Sequence, residues 1–207
     1  MSSSPTKVHY ADGMTERPFH HGNLRTVLLD EAENVLRTRG IDELSLRGLA
    51  RDAGVSHGAP RSHFIDRNAL LNALAERGFL SLATSIRDAA KDETTYAGSL
   101  RACGVAYVGF AVTNANLMDL MFAAKLDQPP DALLAAAGTL FTTISDIIAA
   151  GVEAGAFPPE ELDRRKLVIS STMQGIATFV AGGRATAAQG DVMIDDAIAL
   201  FLGRKLT

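Results

Sequence analysis

The sequence predicts an all-α protein: three short helices at the front and a longer helical bundle behind, about nine helices in all. Three observations carry this. Hydrophobic residues make up 47% of the 207 residues and aromatic ones only 6%, with alanine and leucine dominant, which favours helix over strand. Apolar residues recur at spacings of three and four along most of the chain. No strand pattern survives, because residues 172–180, which could pass for one, sit inside a longer helical period.

Residues 1–17 are polar, rich in Ser, Thr, Pro and Gly, and read as a mobile arm. Asn23 is placed to cap a first helix carrying Leu24, Val27, Leu28, Ala32, Val35 and Leu36, and Gly40 ends it. Ser45 caps a second, residues 46–53, which Gly54 stops. Ser56 caps a third, residues 57–64. Asp66 caps a fourth, bearing Ala69, Leu70, Leu74, Phe79, Leu80, Leu82 and Ile86. Further helices are expected over 96–113, 115–126, 129–154, 160–182 and 191–205. The breaks between them fall at Asn114, at Gln128-Pro129-Pro130, at 155–159 and at Gly182-Gly183.

Composition narrows the function. The single cysteine, Cys103, excludes a disulfide within the chain and fits a cytoplasmic protein. In an Ala/Gly/Val-rich helix it reads as a buried small residue before a redox sensor. The first residues have no apolar signal core. The longest apolar run, residues 135–152, carries Asp146 and several hydroxyls and is too polar for a membrane span, so no membrane partner is expected. Net charge is −4, but residues 1–67 hold nine Lys+Arg against nine Asp+Glu, so the front third is neutral. All five histidines also lie in that third. Clustered cations on a neutral domain can still meet phosphates locally. No Ser-His-Asp, Cys-His, paired-carboxylate or metal-ligand spacing stands out, so neither catalysis nor a cofactor is expected.

The front helices carry a helix-turn-helix pattern. Ala50 is small enough for a close helix crossing, Gly54 permits the positive φ that ends the second helix, Val55 turns inward and Ser56 restarts the chain. Pro60 falls at the fourth position of the third helix. There it forfeits one intrahelical bond and crowds the Ser56 carbonyl. Either the helix is a rigid reading element or it is partly unwound until DNA arrives.

Residues 21–79, from HGNLRTVLLDEAENVLRTRG through LARDAGVSHGAPRSHFIDRNALLNALAERGF, resemble the N-terminal domain of the TetR/AcrR family of bacterial transcriptional repressors. HHGNLR and the later MQGIATFVAGG resemble a branch with a C-terminal Trp-His-Gly motif, where Met173-Gln174 here replace Trp-His and Gly175 is retained. The resemblance implies a helix-turn-helix domain over 18–66 and a ligand-binding and dimerisation domain over 67–207. It implies a homodimer whose third helices enter the major groove of double-stranded operator DNA, released by a small-molecule effector. Two other readings stay open: an adaptor that keeps the shape without DNA affinity, and an enzyme with a helical cavity.

Arg61 is the expected base reader, since a guanidinium can bond guanine O6 and N7 together. His57 and Ser62 can donate to bases or phosphates, Gly58 allows close backbone approach, and Ser45, Arg47 and Ser56 sit at helix starts that meet phosphates. By resemblance, Arg67 and His63 are phosphate contacts. For the effector, Phe110, Met118, Met121, Phe122, Phe141, Met173 and Phe179 offer adaptable apolar lining. Asn114, Thr113, Thr142, Thr172 and Gln174 are the polar candidates. Few charges lie on these helices, which predicts an apolar or aromatic effector. Ile169, Ile176, Ala177, Val180, Met193, Ala197 and Leu200 form wide apolar faces on the last two helices, expected to pair in the dimer, or else to fill the subunit's own core.

Overall fold

The computed structural model describes residues 24–124 and 129–203. The predicted arm 1–17, the Asn23 cap, the HHG of the opening motif, the break at Gln128 and the far ends of helices 115–126 and 191–205 lie outside the described residues. Among those described there are eight α-helices and two 3-10 turns, with no strand. The helices are α1 (Leu24–Arg39), α2 (Leu46–Asp52), α3 (Arg67–Ala90), α4 (Tyr96–Thr113), α5 (Ala115–Ala124), α6 (Asp131–Glu153), α7 (Leu162–Ala181) and α8 (Ala187–Phe201).

Local chemistry sets the boundaries. Ser45 Oγ accepts from Gly48 N at 3.1 Å and Asp66 Oδ1 from Ala69 N at 2.8 Å, so these two predicted caps are made, whereas the expected Ser56 cap is not: the turn that follows starts at Gly58 with no side-chain cap bond. Gly54 adopts φ +67°, the left-handed turn that only glycine takes without strain. Thr186 starts α8 four residues ahead of expectation, because Gln189 closes a capping box with it.

The expected helix over 57–64 is instead a single 3-10 turn, Ala59–Ser62. Pro60 has no N–H to give the Ser56 carbonyl, so that carbonyl accepts from Ala59 N at 2.9 Å. Arg61 N and His63 N also bond three residues back, to Gly58 and Pro60. Only Phe64 N recovers an α-type bond, to Pro60 at 2.9 Å.

α3 is the spine. It begins beside the front helices and runs back between α4 and α6, with Phe79, Leu82 and Ile86 fully buried. Gly78 lets α5 lie close, since a Cβ there would sit 2.6 Å from Met121 Sδ. Arg77 holds α3 to α1 through Asp30 at 2.6 Å and Glu33 at 3.4 Å. α5 is tied to α1 by a hydrogen bond from Asn116 Nδ2 to the Leu36 carbonyl, 2.8 Å long. Contrary to the expectation drawn from Asp146 and the hydroxyls, α6 is long and apolar enough to cross a membrane; Leu133, Leu140 and Ile148 pack in the bundle, while Leu134 and Phe141 are exposed.

Candidate nucleic-acid interface and apolar cavity

The front unit packs around Leu28, Leu36, Leu44, Leu49, Ala50 and Phe64, all nearly inaccessible. The Arg25 guanidinium lies 5.4 Å from the Phe64 ring centroid and covers it. Pro60 is buried beneath the 3-10 turn, which pushes its neighbours outward. Ser56, His57, Gly58, Arg61, Ser62 and His63 are all exposed on that turn and its approach. Ser45, Arg47 and His57 come together along one polar groove with Arg39 and Arg51.

These groups differ in what they have left to offer. Arg47 and Arg61 make no ion pair among the described residues. Ser62 Oγ is spent on the Ala59 carbonyl at 2.7 Å, and Ser45 on its cap. Arg51 and Arg39 both hold Asp52, at 2.9 and 3.3 Å, and keep its carboxyl below the usual range, with the Arg51 hydrogen bond the main cause. Arg67, expected at a phosphate, has a structural task that its position did not suggest. Its Nε donates to the Leu44 carbonyl at 2.9 Å and its Nη2 to the Ile41 carbonyl at 2.6 Å, tying the α1–α2 loop to the start of α3.

Behind the head, α4, α6, α7 and α8 line a partly open cavity of about 660 Å³, with Phe122 of α5 reaching in. Its wall is overwhelmingly apolar, built from Leu100, Gly104, Ile144, Ile148, Ile169 and Met173 among others. A Cβ at Gly104 would lie 3.0 Å from both Met173 Sδ and Ile194 Cγ2, so this glycine keeps α4 close to α7 and α8. The Tyr107 hydroxyl donates to Gln174 Oε1 at one end. Burial pushes the Tyr107 phenol and the Cys103 thiol each up to about 12, so both are neutral at physiological pH.

Of the expected lining, Phe122, Phe141, Met173 and Gln174 reach this cavity. The others do not line it. Met118 and Met121 are buried in the core, Met121 against Gly78. Phe110 packs on the core, and Asn114 caps α4 through the Phe110 carbonyl. Phe179 is half exposed, with the Arg184 guanidinium 4.6 Å above its ring. Thr113 and Thr172 bond back to their own helices, and Thr142 lines a groove beside Arg87. Leu100, Cys103, Gly104 and Tyr107 were missed; their three-and-four spacing on α4 marks one face, but small and mixed side chains hid it.

The apolar faces expected to pair two subunits turn mostly inward. Ile169, Ile176, Ala177, Val180 and Ala197 are buried in the subunit's own core and Met193 partly so. Leu200 alone of that set is well exposed, at 63%. The outward apolar residues are Leu167, Val168 and Phe179 on α7 and Val192 and Leu200 on α8. Seven positions of one apolar set cannot serve both faces of a helix, and the bundle claims the wider stripe first.

A helix-turn-helix head joined by one long helix to a bundle with a partly open apolar cavity is the architecture of a DNA-binding regulator. Residues 28–74 match the family model for bacterial regulatory proteins of the tetR family, and residues 100–201 match that for the tetracyclin repressor-like C-terminal domain. A solved protein of unknown function from Rhodococcus sp. RHA1 is 39% identical, with TM-score 0.83, over 93% of this chain and 100% of that one. The HTH-type transcriptional regulator Rv1816 of Mycobacterium tuberculosis is 30% identical over 126 residues, 58% of this chain and 53% of its own. The chain thus aligns with about half the length of the curated relatives it matches. The fold is also shared with FadR from Bacillus subtilis in complex with stearoyl-CoA (15% identity, TM-score 0.65, 84% and 97% of the two chains). AibR in complex with isovaleryl coenzyme A and operator DNA shares it as well (14%, 0.64, 87% and 99%). The chain belongs to the TetR family of transcriptional regulators, a family of DNA-binding proteins and not of enzymes.

Proposed function

We propose that the protein is a cytoplasmic, homodimeric repressor that leaves its operator when a small apolar molecule fills the cavity. Residues 18–66 act as the reading domain and 67–207 as the effector and dimerisation domain. The observation that carries the reading is a continuous mechanical link. Phe122 lines the cavity, and Asn116 on the same short helix holds the C-terminal turn of α1 in the head. A ligand that displaces Phe122 therefore moves α5 against the head, and the spacing of two heads in a dimer changes with it.

Arg61 reads a base edge, and Arg47, His57 and His63 meet phosphates around it. Leu167, Val168, Val192 and Leu200 supply the dimer contact. Fold relatives that hold isovaleryl coenzyme A and stearoyl-CoA support an apolar acyl-like effector. The test is fluorescence-anisotropy binding to the gene's own upstream intergenic DNA, beside scrambled duplex, across a salt series. Selective binding that Arg61→Ala weakens by about 1–3 kcal/mol supports the reading. Equal weak binding to both duplexes at every salt concentration favours the adaptor reading instead.

A further inference from the structure

We propose that the effector is an apolar carboxylate and that Lys166 holds its acid group. This rests on the cavity being the effector site. Lys166 is the one charged residue among those lining the cavity. A buried carboxylate needs a cation or several donors, and a buried ammonium needs the converse.

The ammonium is poorly paired as it stands. Its nearest carboxylate is Asp163 at 3.9 Å, and that side chain is 98% exposed and solvent-screened. The Lys166 side chain is 32% exposed, so much of its stem is covered where it lines the cavity rim. The adjacent cations are committed elsewhere. Arg165 holds Glu161 at 2.8 Å and the Phe201 carbonyl at 2.6 Å, and Arg164 points to Glu161 at 3.7 Å.

The rest of the cavity fits the other end of such a molecule. Lys166 and Gln174 are eight residues apart on α7, so about 12 Å of wall separates them. Between them run Ile169 and Met173, faced by Gly104 and Ile144. At the far end the Tyr107 hydroxyl is already given to Gln174 Oε1, which leaves the neutral Gln174 amide N–H groups as donors there and the full positive charge at Lys166. No acidic side chain lines the cavity to receive a cationic ligand. The acid group therefore belongs at Lys166 and the apolar body along α7.

Calorimetry and thermal shift on the full-length protein test this. The probes are straight-chain acids from hexanoate to tetradecanoate, with the equal-length alcohols, amines and CoA thioesters. The best acid is expected to bind about ten-fold tighter than its alcohol, with the amine weakest. Lys166→Gln should remove that preference while leaving alcohol affinity in place, which also reports an intact cavity. Lys166→Arg should restore it. An alcohol as tight as its acid, or a preference that survives Lys166→Gln, overturns the assignment. Binding of thioesters without acids overturns it too and leaves the cavity reading standing. Binding of no probe overturns both.

Discussion

Replacing Arg67 by alanine removes two hydrogen bonds that hold the α1–α2 loop to α3, and the loss should be read first as instability. The Nε bond to Leu44 is half-buried, and the Nη2 bond to Ile41 is exposed. A charge-assisted bond contributes about 1.5–3 kcal/mol when shielded and much less in water, so the pair stabilises by about 2 kcal/mol. For a chain of this size that is a fall in Tm of roughly 4–8 °C. Arg67→Lys keeps the charge but cannot fork to two carbonyls, so it should recover about half. Differential scanning calorimetry of the three proteins, with the anisotropy salt series alongside, separates the roles. A phosphate contact alone predicts an unchanged Tm and a salt slope reduced by about one. An Arg67→Ala protein with parental Tm refutes the strut.

Asn116→Leu should leave the Leu36 carbonyl with the Gly40 N–H as its donor, cost about 1 kcal/mol in urea unfolding, and weaken the effector's hold over DNA release while sparing DNA affinity itself. Stability should fall at alkaline pH. The unfolded chain ionises its thiol near 9.0, while folded Cys103 stays protonated to about 12, so the stabilisation present below 9 is lost as pH rises towards 12. At pH 10 the thiol alone accounts for about 1 kcal/mol, and Cys103→Ala should flatten that part of a pH–unfolding curve. Burial of Tyr107 adds a further loss as pH climbs through its own range. Leu200→Glu combined with Leu167→Glu should yield a folded monomer by analytical ultracentrifugation; an unchanged dimer would place the contact elsewhere.

Much of the fold is legible from local chemistry. Ser45, Asp66 and Gly54 act through their own neighbours, so one sequence suffices to place them. The helix 96–113 is found over the same residues, because Thr95 caps it and Asn114 ends it. Pro60 predicts a cost to the third helix, but whether the chain loses one bond or changes helix type depends on burial of its ring, which is a tertiary matter. The exposure of Ser56, His57, Arg61, Ser62 and His63 followed from the motif. Arg67's grip on two carbonyls did not, since Ile41 and Leu44 are more than twenty residues away. The cavity and the proposed dimer face were hardest. An apolar helix stripe announces contact without naming the partner, and most of the stripe on α7 and α8 faces its own bundle. Lys166 carried no signal beyond being a cation near a helix start.

Hydroxyl-radical footprinting of the upstream intergenic DNA tests the central claim most directly. Two heads in a symmetric dimer should protect two patches on one face of the duplex about 34 Å apart, or a multiple of it, over a near-palindrome, and Arg61→Ala should erase both. An unprotected duplex at low salt, or protection that Arg61→Ala leaves intact, would contradict it.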